Sequence, residues 1–373
     1  MELFGVLPWE IGRQCLLRVP YDCHENLRAV CKSWEAAVNH PQFYQDRKKL
    51  GTSQQYICLV ELREYPAYRD DDLEFVVSVF DPLRGTKKTL PPLPHFPGSH
   101  NGIPLYCDCV CVNQKLVLMG GWNPSDLYLA EALNTVFIYD FSSGKWSRGA
   151  DMPVIRISGA FSVSPQGLLY VAGGHDDYED FLRSAAIYNV SEDEWKILPE
   201  MSQERDECYG AFIHDKFFVI SGCNTESGDR FELSAEVYDP ETAAWTTLED
   251  MWTVGEGKGP QSCVVASSSE RLYSFQKQQG VMEYDSTEND WRAVGSLPET
   301  LTRILCCVAW REKIFVCGYA ESNGQVSYMF EPPAIKRAAG QGQTIGKWTA
   351  IEGPENSLGD YVQRIQSAIT FEI

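Results

Sequence analysis

Four arginines stand at matched positions along this chain. Arg156, Arg303 and Arg364 each lie a few residues before a small apolar segment: Gly159-Ala160-Phe161, Cys306-Cys307-Val308 and Ser367-Ala368-Ile369. Arg205 precedes Gly210-Ala211-Phe212 at a spacing longer by two residues. Guanidinium groups so repeated have two chemistries open to them. They can grip carboxylates or phosphates bidentately, or they can brace neighbouring segments through backbone carbonyls. The run Cys107-Asp108-Cys109-Val110-Cys111 suggests a metal at first sight. On a strand its cysteines share one face, whereas structural zinc takes pairs at two-residue gaps from separate turns. They read instead as small core residues, as do Cys263, Cys306, Cys307 and Cys317. The six histidines form no HxH or HxxxH pair. No phosphate-binding glycine loop, GxSxG or Cys/His nucleophile context is present. The residues therefore predict no catalytic group, metal or cofactor.

What positions the arginines is a repeat. Met152 to Met201 reads MPVIRISGAF, LLYVAGGH, SAAIYNV and DEWKILPEM. Three β-branched and aromatic runs precede a fourth that carries Trp195, with Gly173-Gly174 after the second run and Tyr188 ending the third. A four-stranded unit of about fifty residues resembles a kelch-type propeller blade. Third-strand ends recur at Phe80-Asp81, Tyr139-Asp140, Tyr188-Asn189, Tyr238-Asp239, Tyr284-Asp285 and Phe330-Glu331. Four of them are followed by Trp146, Trp195, Trp245 or Trp291, and Trp348 follows the sixth after an insertion. The glycine, tyrosine and tryptophan positions read as scaffold.

The first unit has a second strand (56–62), a third (75–81) and a fourth (88–93) but no inner strand before them. The C-terminal segment Arg364–Ile373 resembles inner strands such as 156–163. It is expected to complete the first blade, closing a six-bladed ring and leaving no open seam. Strand alternation puts the loop after each second strand on the arginine side. The long loops there, 63–74, 122–134, 175–184 and 223–234, mix acids with aromatics: Tyr65, Tyr68, Trp122, Tyr128, Tyr178, Phe181 and Phe231. Such loops on a rigid scaffold can carry recognition or be ordinary solvated acidic loops. With Arg156, Arg205, Arg303 and Arg364, residues Trp122, Tyr128, Tyr178 and Phe231 form the expected substrate-binding set. A cationic centre would suit a carboxylate-rich or phosphorylated segment.

Residues 1–50 read differently. Apolar residues at 27, 30, 31, 34 and 38 follow helical spacing, and Pro8, Pro20 and Pro41 divide the segment into short helices. It has few internal partners for its apolar side chains, so burial against another protein is expected. The polar link 46–55 is too short for a free tether, so the module should be held in one orientation. LPWEI, LLRVP and VCKSW with a trailing Phe-Tyr resemble an F-box. The resemblance implies docking on a Skp-type adaptor of a cullin–RING ubiquitin ligase, through Leu7, Pro8, Ile11, Leu16, Leu17, Val30, Cys31 and Trp34. The alternative is a small helical cap on the β domain.

The net charge is −20 over 373 residues. Residues 1–50 carry net +1, so residues 51–373 hold −21. So acidic a domain disfavours nucleic acid and anionic membrane surfaces. There is no apolar run of membrane-span length and no secretory start. Thirteen cysteines without a regular framework point to a reducing compartment, cytosol or nucleus.

An F-box (1–50) followed by a kelch propeller (56–373) resembles the plant F-box/kelch-repeat proteins. The implied role is a non-catalytic substrate receptor of an SCF-type ligase. MELFGVLPWEI and RDECYG (205–210) are similar to a subgroup that targets phenylalanine ammonia-lyase, related phenylpropanoid enzymes or cytokinin response regulators. The alternatives are a kelch scaffold that binds partners without ubiquitination and, with less support, a metal-dependent propeller enzyme.

Overall fold

The structure is a computed structural model. It describes residues 8–64, 74–94, 102–123, 132–228, 230–253, 260, 264–266, 270–322, 324–333, 345–351 and 362–373. Four short helices come first: α1 (Trp9–Leu16), α2 (His24–Val30), α3 (Lys32–Val38) and α4 (Pro41–Lys49). Pro8 precedes α1 and Pro41 opens α4, where a missing N–H costs nothing. Cys31, fully extended at φ −165° and ψ 163°, breaks α2 from α3.

Among the described residues, every regular element from Gln55 onward is a strand. Six four-stranded antiparallel sheets follow, and their inner strands contact one another in a closed circle. This is the six-bladed propeller, with the small helical module at its N-terminal end. The first blade consists of Val362–Glu372, Gln55–Glu64, Glu74–Asp81 and Thr86–Thr89, in that spatial order. Leu59 stands opposite Ala368 and Tyr56 opposite Phe371. The chain end thus supplies the missing inner strand. One boundary differs from the sequence reading: the fourth strand is Thr86–Thr89, not 88–93. Leu90 N–H still bonds Val77 O, but Pro91 and Pro92 have no N–H to continue the ladder.

The core lies between blades. Tyr188 and Trp195 stack at 4.6 Å, packed with Val117 and Ile138 of the second blade and with Met152 in the linker after it. The fourth-strand tryptophans repeat one bond, each donating from Nε1 to a carbonyl of the linker behind it. Trp146 reaches Pro91 O (2.8 Å), Trp195 Ala150 O (2.9 Å), Trp245 Pro199 O (2.8 Å), Trp291 Met251 O (2.7 Å) and Trp348 Ser296 O (2.8 Å). The first blade has no such tryptophan. At that seam Trp310, on the inner strand Arg303–Trp310 of the sixth blade, donates to Gln55 O at 2.8 Å. Gly173 and Gly174 have φ of +67° and +81°, and a Cβ on either would stand 2.3 Å from a carbonyl oxygen. Only glycine fits there.

Candidate functional site

The helical module sits on one face of the ring. In the first blade, Tyr56, Phe371 and Phe80 mark one end of the strands, and Arg63, Arg364 and Glu74 mark the other. The module meets the first end. Tyr21 packs edge-on against Tyr56, Phe141 and Phe371. Arg28 and the Tyr44 hydroxyl both bond Ser142 O. Asp22 pairs with Arg84 and Glu25 with Lys88. Gln54 and Ile373 exchange two backbone bonds, of 2.7 and 2.9 Å, and Lys48 pairs with Glu372 at 3.2 Å. The module therefore has internal partners after all, because the propeller covers one of its faces.

That packing divides the expected adaptor-contact residues. Ile11 is 51% exposed and Val30 58%, and Pro8 and Cys31 are also exposed. Trp34 is half-buried, and Leu7 lies outside the described residues. Leu16 and Leu17 are buried in the cluster with Phe43, Tyr44, Tyr56 and Phe371, so in this structure they hold the module together and are not accessible. Beneath them the buried Arg47 donates to Leu17 O, Val19 O and Thr52 O. His24 is fully buried between Val19 O and the Tyr44 hydroxyl. Burial and the nearby Arg47 push its pKa down to about 3.

The opposite face carries the arginines, and here the structure corrects the expectation of a cationic centre. Arg156 is buried, donating through Nη1 to Gly173 O and through Nη2 to Ser184 Oγ (2.8 Å). Desolvation lowers its pKa to about 10. Arg205 is fully buried, with Ser221 O at 2.8 Å, Ser234 O at 3.1 Å and Glu236 Oε1 at 3.2 Å. Glu236 also takes Ser202 N–H at 2.7 Å. Both arginines brace the loops behind glycine turns, and neither offers its guanidinium to a ligand. Arg303 is exposed at the start of its inner strand. Arg364 pairs through its backbone with Leu62, and its side chain lies outside the described residues.

What this face does expose is apolar and acidic. Tyr178 is 80% exposed and Leu233 50%, and Phe231 is half-buried. Tyr178 rides on a turn in which Asp176 Oδ1 accepts its N–H (2.9 Å) and that of Asp180 (3.0 Å). Trp122 is half-buried in bridges to Leu105 and Ala132. Tyr65, Tyr68 and Tyr128 lie outside the described residues. Sequence reasoning missed Leu233. It also missed His175, whose Nδ1 meets Asp206 Oδ1 at 2.9 Å between the third and fourth blades. That bond raises the His175 pKa against the opposing effect of burial. The GGH that ends the second strand of the third blade was the available signal. Cys107, Cys109 and Cys111 pack in the same cluster as Cys58, and no group of three or more metal-ligating residues occurs among the described residues.

The helical module is thus fixed beneath the propeller, with a loop-built rim on the far face. An F-box domain model matches residues 5–46, and a Kelch motif model matches residues 105–153 and 156–202. These two kelch matches cover the two blades that keep the double glycine. The Arabidopsis thaliana F-box/kelch-repeat protein At1g80440 is 35% identical over 80% of this chain and 82% of its own length. At1g15670 is 32% identical, covering 82% and 84%. SKIP20 is 29% identical, covering 95% and 93%. The chain belongs to the F-box/kelch-repeat family. The structure of YjhT, 15% identical with a TM-score of 0.50 over 71% of this chain, shares the propeller fold.

Proposed function

We propose that this protein is the substrate-recognition subunit of an SCF-type cullin–RING ubiquitin ligase and performs no chemistry itself. One observation carries this reading: the F-box is fixed on one face of the propeller, and a loop-built rim that exposes Tyr178 and Leu233 lies on the other. A target held on the rim would be kept at a set position relative to an adaptor on the F-box. Proximity would then raise the effective concentration of target lysines near the loaded conjugating enzyme. Pro8, Ile11, Val30, Cys31 and Trp34 are the adaptor contacts we assign, with Tyr178, Phe231, Trp122 and Arg303 facing the target. Co-purification with a Skp-type adaptor should be lost on Ile11→Asp/Val30→Asp while the melting temperature holds. Adaptor retained by a folded double variant would refute the assignment.

We further propose a target among phenylpropanoid enzymes, phenylalanine ammonia-lyase first, or cytokinin response regulators, on the resemblance of MELFGVLPWEI and RDECYG. Within RDECYG, Arg205 and Cys208 are buried framework, so the rim loops must make the choice between such targets. Affinity capture under proteasome inhibition, comparing the intact chain with Ile11→Asp/Val30→Asp, should enrich the target on the variant. Equal recovery of every bound protein from both forms would count against a degradative role.

A further inference from the structure

Between the helical module and the first two blades lies a cleft of about 140 Å³. Tyr21 and Arg28 line it from the module, Tyr56 and Thr86 from the first blade, and Tyr139 from the second. Its charged lining residues are largely engaged already. Asp22 pairs with Arg84, Glu25 with Lys88, and Lys87 with Glu61. Asp81 Oδ1 accepts Leu83 N–H.

Three donors on the walls remain unengaged among the described residues: the hydroxyls of Tyr21 and Tyr139, and Nη1 of Arg28. Arg28 uses Nε for Asn39 and Nη2 for Tyr44 and Ser142. Tyr139 is only 5% exposed, yet it lines the cleft. Burial pushes the Tyr139 pKa up to about 12 and raises that of Tyr21 as well, so both stay protonated and can donate. Arg28 is close enough to act electrostatically on both. A buried tyrosine hydroxyl normally finds a partner.

Size limits the guest. A cavity of roughly 150 Å³ accepts benzene, so this cleft has room for one ring. The walls supply three phenol rings for stacking or edge contact, and three unengaged donors, one of them on a guanidinium, for an acceptor. We propose that the cleft binds a small monocyclic aromatic carboxylate, its ring against the tyrosines and its carboxylate on Arg28, Tyr21 and Tyr139. Because its walls come from both modules, such a ligand bridges the F-box to the propeller and favours the docked arrangement by mass action. The inference does not rest on the ligase reading.

Calorimetric titration of the full chain with benzoate tests it, with acetate as the carboxylate alone and phenol as the ring alone. Benzoate should bind one site, saturably and at least about tenfold more tightly than either fragment, and should raise the melting temperature. Tyr139→Phe, which keeps the ring, should weaken binding about tenfold. Thr86→Trp, at an exposed lining position, should block it, and both variants should melt like the parent without ligand. Benzoate binding no tighter than acetate or phenol, or binding undiminished in both variants, would overturn the proposal.

Discussion

Arg205 shows how a repeated residue type can mislead about its role. Arginine before an inner strand is the same signal whether the guanidinium faces solvent or a ring of carbonyls. The glycine turns settle it by bringing Gly173 O to Arg156, and Ser221 O and Ser234 O to Arg205. Removing Arg205 should leave Glu236 buried without its cation, a loss of about 3–5 kcal/mol. Chemical denaturation of Arg205→Met checks this, and a midpoint equal to the parent's would discard the bracing role. His24 gives a second residue-scale prediction. Its folded pKa is about 3 against an ordinary 6.5, so the unfolded chain binds a proton there that the folded chain refuses. Its contribution is fully present above pH 6.5 and is lost as the pH falls toward 3. Urea midpoints should therefore fall more steeply between about pH 7 and about pH 4.5 in the parent than in His24→Gln. Parallel curves would show that His24 does not link pH to stability.

Among the elements, the C-terminal strand has two roles. It fills the inner position of the first blade, and its end is fastened to the F-box linker through Ser53, Gln54 and Lys48. Phe371 stacks on Phe141 at 3.7 Å and contacts Tyr21. Deleting residues 364–373 should therefore open the seam and also loosen the helical module. Limited proteolysis should cut the truncated chain near residues 50–54 faster than the intact one. An unchanged cleavage rate there would show that the module is held by its own contacts. This element was legible in the sequence because SAAIYNV-type and RISGAF-type runs differ in pattern, and the leading inner strand was conspicuously missing. The fourth strand of the first blade was less legible: residues 88–93 carry strand signals, but Pro91 and Pro92 cannot sustain the ladder.

At the scale of the whole molecule, the two modules should behave as one cooperative unit. Clusters that mix Leu16, Leu17 and Phe43 with Tyr56 and Phe371 cannot melt on one side without exposing the other. Far-ultraviolet and tryptophan signals should give a single coincident thermal transition. A separate early loss of helix would mean independent modules, and with it the loss of a fixed adaptor-to-rim geometry.

The sequence by itself determined the six-bladed ring, its closure and the helical module, because strand period, turn residues and the Tyr/Trp spacing are local signals repeated in each blade. Only the tertiary structure decided which side chains are available for binding. Leu16 and Leu17 face the propeller while Ile11 and Val30 face solvent, and Arg156 and Arg205 point inward while Tyr178 and Leu233 point out. Exposure depends on what the rest of the chain brings alongside a residue, and here those neighbours come from other blades and from the far end of the sequence.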